Sequence, residues 1–345
     1  METPPTDTAD DLPASSAIRA PGVRGARTLV RRVLTRMFGP PPFDPEGTPG
    51  DIGLVGPASA SWRLIAEPAA IAGGIRGLLL QVAHPMALAG VADHSRYEAD
   101  PLGRLQRTSQ YVTTSVYGST AEAIAVARRV RAMHTRVRGV ASDGRAYRAD
   151  DPELLTWVSL ALTSSFLAAD HYFSPYPLVS RDRDRFVAEQ STLAALLDPR
   201  VDLEAIERDR DAIAALRSQA LPLPMLVDGL LPGSVVELTS ALTRYAPDLG
   251  LDDRGRALFA FLRRPPLPLV ARLPYRTLLR GAIASLSDTH RRALEITQLR
   301  DPDGARAAAR RLLGRIRVIS GTSPAERLAA RRNGQPRTQR SPSLP

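Results

Sequence analysis

The sequence predicts an all-α fold, and three observations carry that expectation. Apolar residues recur at helical spacing through most of the chain. Several of these segments open on helix-capping signatures, of which Ser119-Thr120-Ala121-Glu122 and Asp150-Asp151-Pro152-Glu153 are the clearest. Nowhere does a sustained period-two alternation flanked by hairpin turns occur, and no repeat of about 20 to 50 residues stands out.

Residues 1–25 are rich in Pro, Ala, Asp and Thr without helical periodicity, so they cannot bury enough apolar surface to offset chain entropy and read as a disordered arm. Residues 26–61 divide into an Arg-rich amphipathic helix over 26–38 and an extended loop punctuated by Pro and Gly. One all-helical domain is expected over 62–322. Within it, 62–92 is apolar at nearly every position and predicts a helix buried all round with its continuation; Pro68 is tolerable near a helical start and Gly73-Gly74 allows close packing. The most apolar part, 77–92, falls short of the about 20 residues that span a bilayer, so no transmembrane segment is expected. A polar connector over 93–101 leads to helices over 102–117 and 120–137, the second ending at Gly139. Asp143-Gly144 makes a turn before a helix over 154–172. Further helices are expected over 181–194, 203–219, 234–244, 252–262, 275–284 and 287–312, with breaks at Leu221-Pro222-Leu223-Pro224 and Arg264-Pro265-Pro266-Leu267-Pro268. Residues 323–345 are polar, rich in Arg and Pro, and read as a disordered tail.

All 46 basic residues are arginine and the net charge is +10, but the arginines are interleaved with Asp and Glu except over 327–340. With 5% aromatic residues there is no base-stacking platform, so nucleic acid is not an expected partner. The absence of cysteine excludes disulfides, thiolate metal sites, thiol nucleophiles and haem attached through CxxCH. The pair Arg31-Arg32 is followed by Val33-Leu34-Thr35-Arg36 and the turn-rich Gly39-Pro40-Pro41-Pro42 rather than by the apolar run of an export signal, and the chain reads as cytoplasmic.

The five histidines, His84, His94, His134, His171 and His290, are isolated, with no HxH, HxxH or HExxH pairing to build a zinc or non-haem iron site locally. Haem iron requires only one protein imidazole, so a lone histidine on an apolar helix face is compatible with it; a buried histidine bonded to a carbonyl would look the same. No GxSxG elbow, Walker loop, GxGxxG fingerprint or EF loop is present. What remains is a constellation: Gln81-Val82-Ala83-His84-Pro85, Gly90-Val91-Ala92-Asp93-His94-Ser95, Asp100-Pro101-Leu102-Gly103-Arg104-Leu105-Gln106-Arg107-Thr108, Arg131-Ala132-Met133-His134-Thr135-Arg136-Val137-Arg138-Gly139, and Tyr147-Arg148-Ala149-Asp150-Asp151-Pro152-Glu153-Leu154 with Trp157. In this order and spacing it resembles the DUF2236 family, which includes bacterial latex-clearing rubber oxygenases and the fungal MpaB oxygenase, closely over 77–167 and more loosely to about Leu312.

The resemblance implies a globin-like helical arrangement around non-covalent haem b, with His134 as the proximal iron ligand. It also implies roles near the haem for Arg104 and Thr108, and Arg104, Arg107 and Thr108 would share one side of a helix. Arg104 could bind a propionate or orient dioxygen, and Thr108 could donate a hydrogen bond to it. Arg104, Arg107 and Thr108 are therefore the catalytic candidates, and His134, Arg104, Thr108 and His84 the cofactor-binding ones. Latex-clearing enzymes can carry Lys at the place of Arg107, where it can occupy the distal iron position; arginine has no lone pair to offer, which leaves that position open, water-bound or filled by a residue such as His84. Glu98 is the nearest carboxylate to the glutamate discussed for rubber oxygenases, and it reads more simply as a solvated loop side chain. The function implied is a haem b-dependent oxygenase using dioxygen or peroxide on an apolar, isoprenoid-like small molecule. A haem protein for sensing or electron transfer, and a haem-free helical interaction protein, are the alternatives.

Overall fold

A computed structural model describes residues 21–44, 48–95 and 100–334, and its regular structure is helical apart from one small hairpin. Most of the expected N-terminal arm, the end of the expected tail and Glu98 lie outside the described residues. The first helix, α1 (Pro21–Phe38), begins inside the segment expected to be an unstructured arm.

The predicted run over 62–92 is three helices, α2 (Ala60–Ala66), α3 (Ala69–Val82) and α4 (Pro85–His94), and each break has a local cause. Pro68 has no N–H with which to continue α2, and α2 meets α3 at 94°. His84 precedes Pro85 and is held extended at φ −110°, ψ 106°, as a residue before proline prefers. Its Nδ1 then accepts from Ala87 N at 3.3 Å and caps α4.

Asp100 caps α5 (Pro101–Tyr117), and Ser119 with Glu122 closes the capping box of α6 (Thr120–His134). The expectation of no strands has one exception: β1 (Arg138–Val140) pairs antiparallel with β2 (Ala146–Arg148) around the Asp143-Gly144 turn, Gly139 opposite Tyr147. Three residues per strand are too few for alternation to register. Asp151 then caps α7 (Pro152–Phe173).

Beyond α8 (Ser180–Ala195), the run expected over 203–219 splits into α9 (Leu203–Arg208) and α10 (Arg210–Arg217), because the Asp209 carboxylate accepts from Asp211 N and starts a new helix. After α11 (Pro224–Val227), α12 (Val235–Tyr245), α13 (Asp253–Arg263) and α14 (Leu269–Ala284), the helix expected over 287–312 is likewise two, α15 (Asp288–Ala293) and α16 (Pro302–Ser320). The chain continues into α17 (Pro324–Arg332).

The central pair is α3 on α7. A Cβ at Gly73 would lie 2.6 Å from Phe166 Cδ1 and one at Gly77 2.9 Å from Leu162 Cδ2, whereas one at Gly74 would meet nothing within 4 Å. Close approach thus uses Gly73 and Gly77, one turn apart, rather than the Gly73-Gly74 pair. By length and composition α7 could cross a bilayer, but 56% of that stretch is buried by the rest of the protein, with Trp157, Leu160 and Phe166 in the largest apolar cluster.

A second cluster corrects both expected domain boundaries. Phe43 and Leu54, from the loop before Trp62, pack in it with Tyr117 and Met225, and so do Ala325 and Ala329 of α17. Arg332 ends that helix with a fully buried side chain that donates to Asp51 O at 3.0 Å and to Tyr117 O at 2.9 Å. The expected disordered tail therefore begins as a docked helix, whose small apolar residues at i and i+4 are masked in the sequence by its arginines.

Candidate active site

α5 and α6 are joined only by Gly118-Ser119 and pack against one another. Arg104 and His134 each lie about four turns, roughly 20 Å, from that connection, so both stand at the open end of the pair. The end of α4 and the hairpin close in beside it. His94 Nε2 donates to Arg138 O at 3.2 Å, and Tyr147 donates to Asp93 at 2.7 Å while Asp93 pairs with Arg254 at 2.8 Å. Ala89, Ala141 and Tyr147 form a small apolar cluster there with Met86, Val137 and Leu154.

His134 is the last residue of α6 and is partly buried. Its Nδ1 is buried and has no hydrogen-bond partner among the described residues. Burial lowers the imidazole's pKa, and the charge of Asp150 offsets part of that effect. Asp150 is gripped by Arg148 at 3.0 and 3.2 Å, and chiefly for that reason its carboxyl titrates below the usual range. At neutral pH the site thus holds a neutral imidazole with an uncommitted nitrogen, within the field of an ionised carboxylate. Sequence reasoning missed Asp150 because, next to the true cap Asp151, it reads as one more helix-start acid.

Of the three candidates on α5, only Arg104 is withdrawn from solvent. Its guanidinium has no hydrogen-bond or ion-pair partner among the described residues, and burial, then the charge of Arg107, lowers its pKa. Arg107 is exposed and pairs with Asp100 at 3.3 Å. Thr108 is also exposed, and its hydroxyl donates back to Arg104 O at 3.2 Å.

His84 is buried at the start of α4, with ring-centroid distances of 5.1 Å to Trp157 and 6.3 Å to Tyr245. Burial pushes its pKa down to about 4, so it is neutral, and its Nδ1 is committed to the α4 cap. His171 is exposed against Tyr172, and His290 is buried near Arg76; neither is part of this end of the α5–α6 pair.

No group of three or more His, Cys, Asp or Glu gathers in a metal-binding arrangement among the described residues. A haem iron asks for less, one imidazole and a counter-charge for its carboxylates. A groove of about 350 Å³ runs along α6 past Arg128, Arg131 and Thr135 to Asp150, and His134 is not among the residues that line it. A larger one, about 490 Å³, lies between α8 and α12 around Ser191, Leu230 and Arg244, away from His134.

Residues 62–318 match the family described as "ER-bound oxygenase mpaB/B'/Rubber oxygenase, catalytic domain". No curated protein and no solved structure matches the chain. The matched residues are about three quarters of the 345 and run from α2 into α16, taking in Arg104, His134 and the whole of α5 and α6. The chain, all-α apart from one small hairpin among its described residues, belongs to the mpaB/rubber oxygenase catalytic-domain family.

Proposed function

We propose that this protein is a haem b-dependent oxygenase with His134 as the proximal iron ligand, acting on an apolar small molecule. Membership of an oxygenase family is the observation that carries the reading. The haem assignment draws support from the donor set: a neutral imidazole with a buried, unpartnered nitrogen, and a half-buried arginine that lacks an anion. When bound, the haem would supply the iron at which dioxygen or peroxide is activated.

The remaining roles belong to the chain. Arg104 would give its fork of N–H donors to a haem propionate, which would supply its missing counter-charge. Asp150, fixed by Arg148, would raise the basicity of His134, as carboxylates beside ligating histidines do. Thr108 would have to release Arg104 O before its hydroxyl could serve a ligand. Met86, Val137 and Leu154 make this end of the α5–α6 pair apolar, which favours a hydrocarbon substrate, with isoprenoid alkenes the first class to test.

The experiment is an absorbance spectrum of the purified protein with stoichiometric haem, followed by the His134→Ala variant. A Soret band in wild type that is lost in the variant is the expected result, since no cysteine can replace the imidazole. An unchanged Soret band in the variant would overturn the ligand assignment. Dioxygen uptake by the reduced protein in the presence of an isoprenoid alkene tests turnover separately.

A further inference from the structure

We propose that the foot of α14 is a docking surface for an anionic lipid bilayer. Leu269, Val270 and Leu273, at i, i+1 and i+4, are 77%, 64% and 73% exposed and form one apolar tip at the start of the helix. Single exposed apolar side chains are common on protein surfaces, but a contiguous cluster marks an interaction site. Val227 and Val236, also exposed, are followed directly by the acidic Asp228 and Glu237.

Charge identifies the partner. Arg263 and Arg264 precede the tip at the end of α13 and Arg276 follows Leu273 by three residues on α14; all are exposed, and none has a carboxylate partner among the described residues, while Arg263 lies over the Phe259 ring at 5.9 Å. No Asp or Glu occurs in the sequence between Asp253 and Asp288. Apolar knobs flanked by arginines match the boundary between acyl chains and phosphate headgroups, where the knobs leave water and each guanidinium gains about fivefold in affinity from the anionic surface.

The tip is also rigid. Leu267 is buried beneath it, Arg272 Nε donates to Leu267 O at 2.9 Å, and Tyr275 donates to Leu262 O at 2.6 Å, so the proline-rich turn is tied down on both sides. Docking would order nothing new. An acidic protein segment, such as the stretch holding Asp7, Asp10 and Asp11, would match the arginines but not the protruding leucines.

The test uses the full chain with vesicles of phosphatidylcholine mixed with phosphatidylglycerol, against phosphatidylcholine alone. Co-sedimentation with the anionic vesicles is expected, and Leu269→Ser with Leu273→Ser, which leaves the charge unchanged, should weaken it about tenfold or more. In a Leu269→Trp variant the added fluorescence should shift to the blue on binding and be quenched by brominated acyl chains, while Val236→Trp, on α12, should not respond. Undiminished binding by the double-serine variant would mean that a +10 protein merely adsorbs by charge, and the proposal falls. It falls equally if wild type stays in the supernatant, or if it binds only after residues 1–20 are removed, since that segment would then be the occupant.

Discussion

His290 and Arg76 share an interior position, and neither pairs with a carboxylate among the described residues. Arg76, on α3, is 6% exposed; its Nη1 donates to Ser165 at 2.9 Å and its Nε has no partner among the described residues. Burial holds its pKa down at about 10. His290 is pushed from 6.5 to about 4 by burial first and by the charge of Arg76 second. In the unfolded chain it takes up a proton near pH 6.5, in the folded chain only near 4, so unfolding binds a proton as pH falls between these values. Stability is complete above pH 6.5 and declines toward pH 4, by up to about 3 kcal/mol from this residue. Urea midpoints measured across that range should fall less steeply for His290→Gln than for wild type; superimposable slopes would refute the assignment. His84 has the same shift, and His84→Asn removes the titration while keeping a cap for α4. Arg332 is a different case, a buried cation whose Nε and Nη2 donate to Asp51 O and Tyr117 O while Glu122 lies 3.7 Å from its Nη1. Arg332→Ala should cost about 2–4 kcal/mol in chemical denaturation, because two buried carbonyls lose their donor. Residues of this kind are invisible in sequence, since an arginine that anchors a core reads like one in water. His134 and Arg104 stand out as candidates in the sequence only as members of a spaced constellation.

Helix identity was legible because periodicity reports which face is buried; helix ends were less so, because they depend on single residues. Pro68, His84 before Pro85, Asp209 and Asp301 before Pro302 each stop or start a helix that the apolar pattern alone would run through. The contact between α3 and α7 shows the same limit, since composition named a glycine pair but not which member is used. Gly73→Ala, with its Cβ 2.6 Å from Phe166 Cδ1, should destabilise by about 1–3 kcal/mol in thermal or urea unfolding. Gly74→Ala meets open space and should stabilise by up to about 1 kcal/mol through helix propensity. If the two changes had equal effects, the close crossing would be misplaced.

The all-α class was readable because nearly all the regular structure among the described residues obeys one period, but domain limits were not, because the second apolar cluster is assembled from pieces remote in sequence. α2 joins the two clusters, with Leu64 in the larger, Trp62 in the second and Ile65 packed against both. Removing residues from Pro324 onward should therefore lower the melting temperature and expose apolar surface to a dye such as ANS, rather than leave the body intact. Native melting and no dye binding in that truncation would show that α17 is only an accessory. The Arg332 to Asp51 bond, 281 residues apart, also bears on synthesis. While the ribosome is still elongating, Phe43, Leu54 and Tyr117 emerge long before the helix that caps them, so a nascent chain carries an open apolar seam until α17 has been made. Chaperone occupancy of such a chain should persist until translation has passed Arg332 and that residue has cleared the exit tunnel.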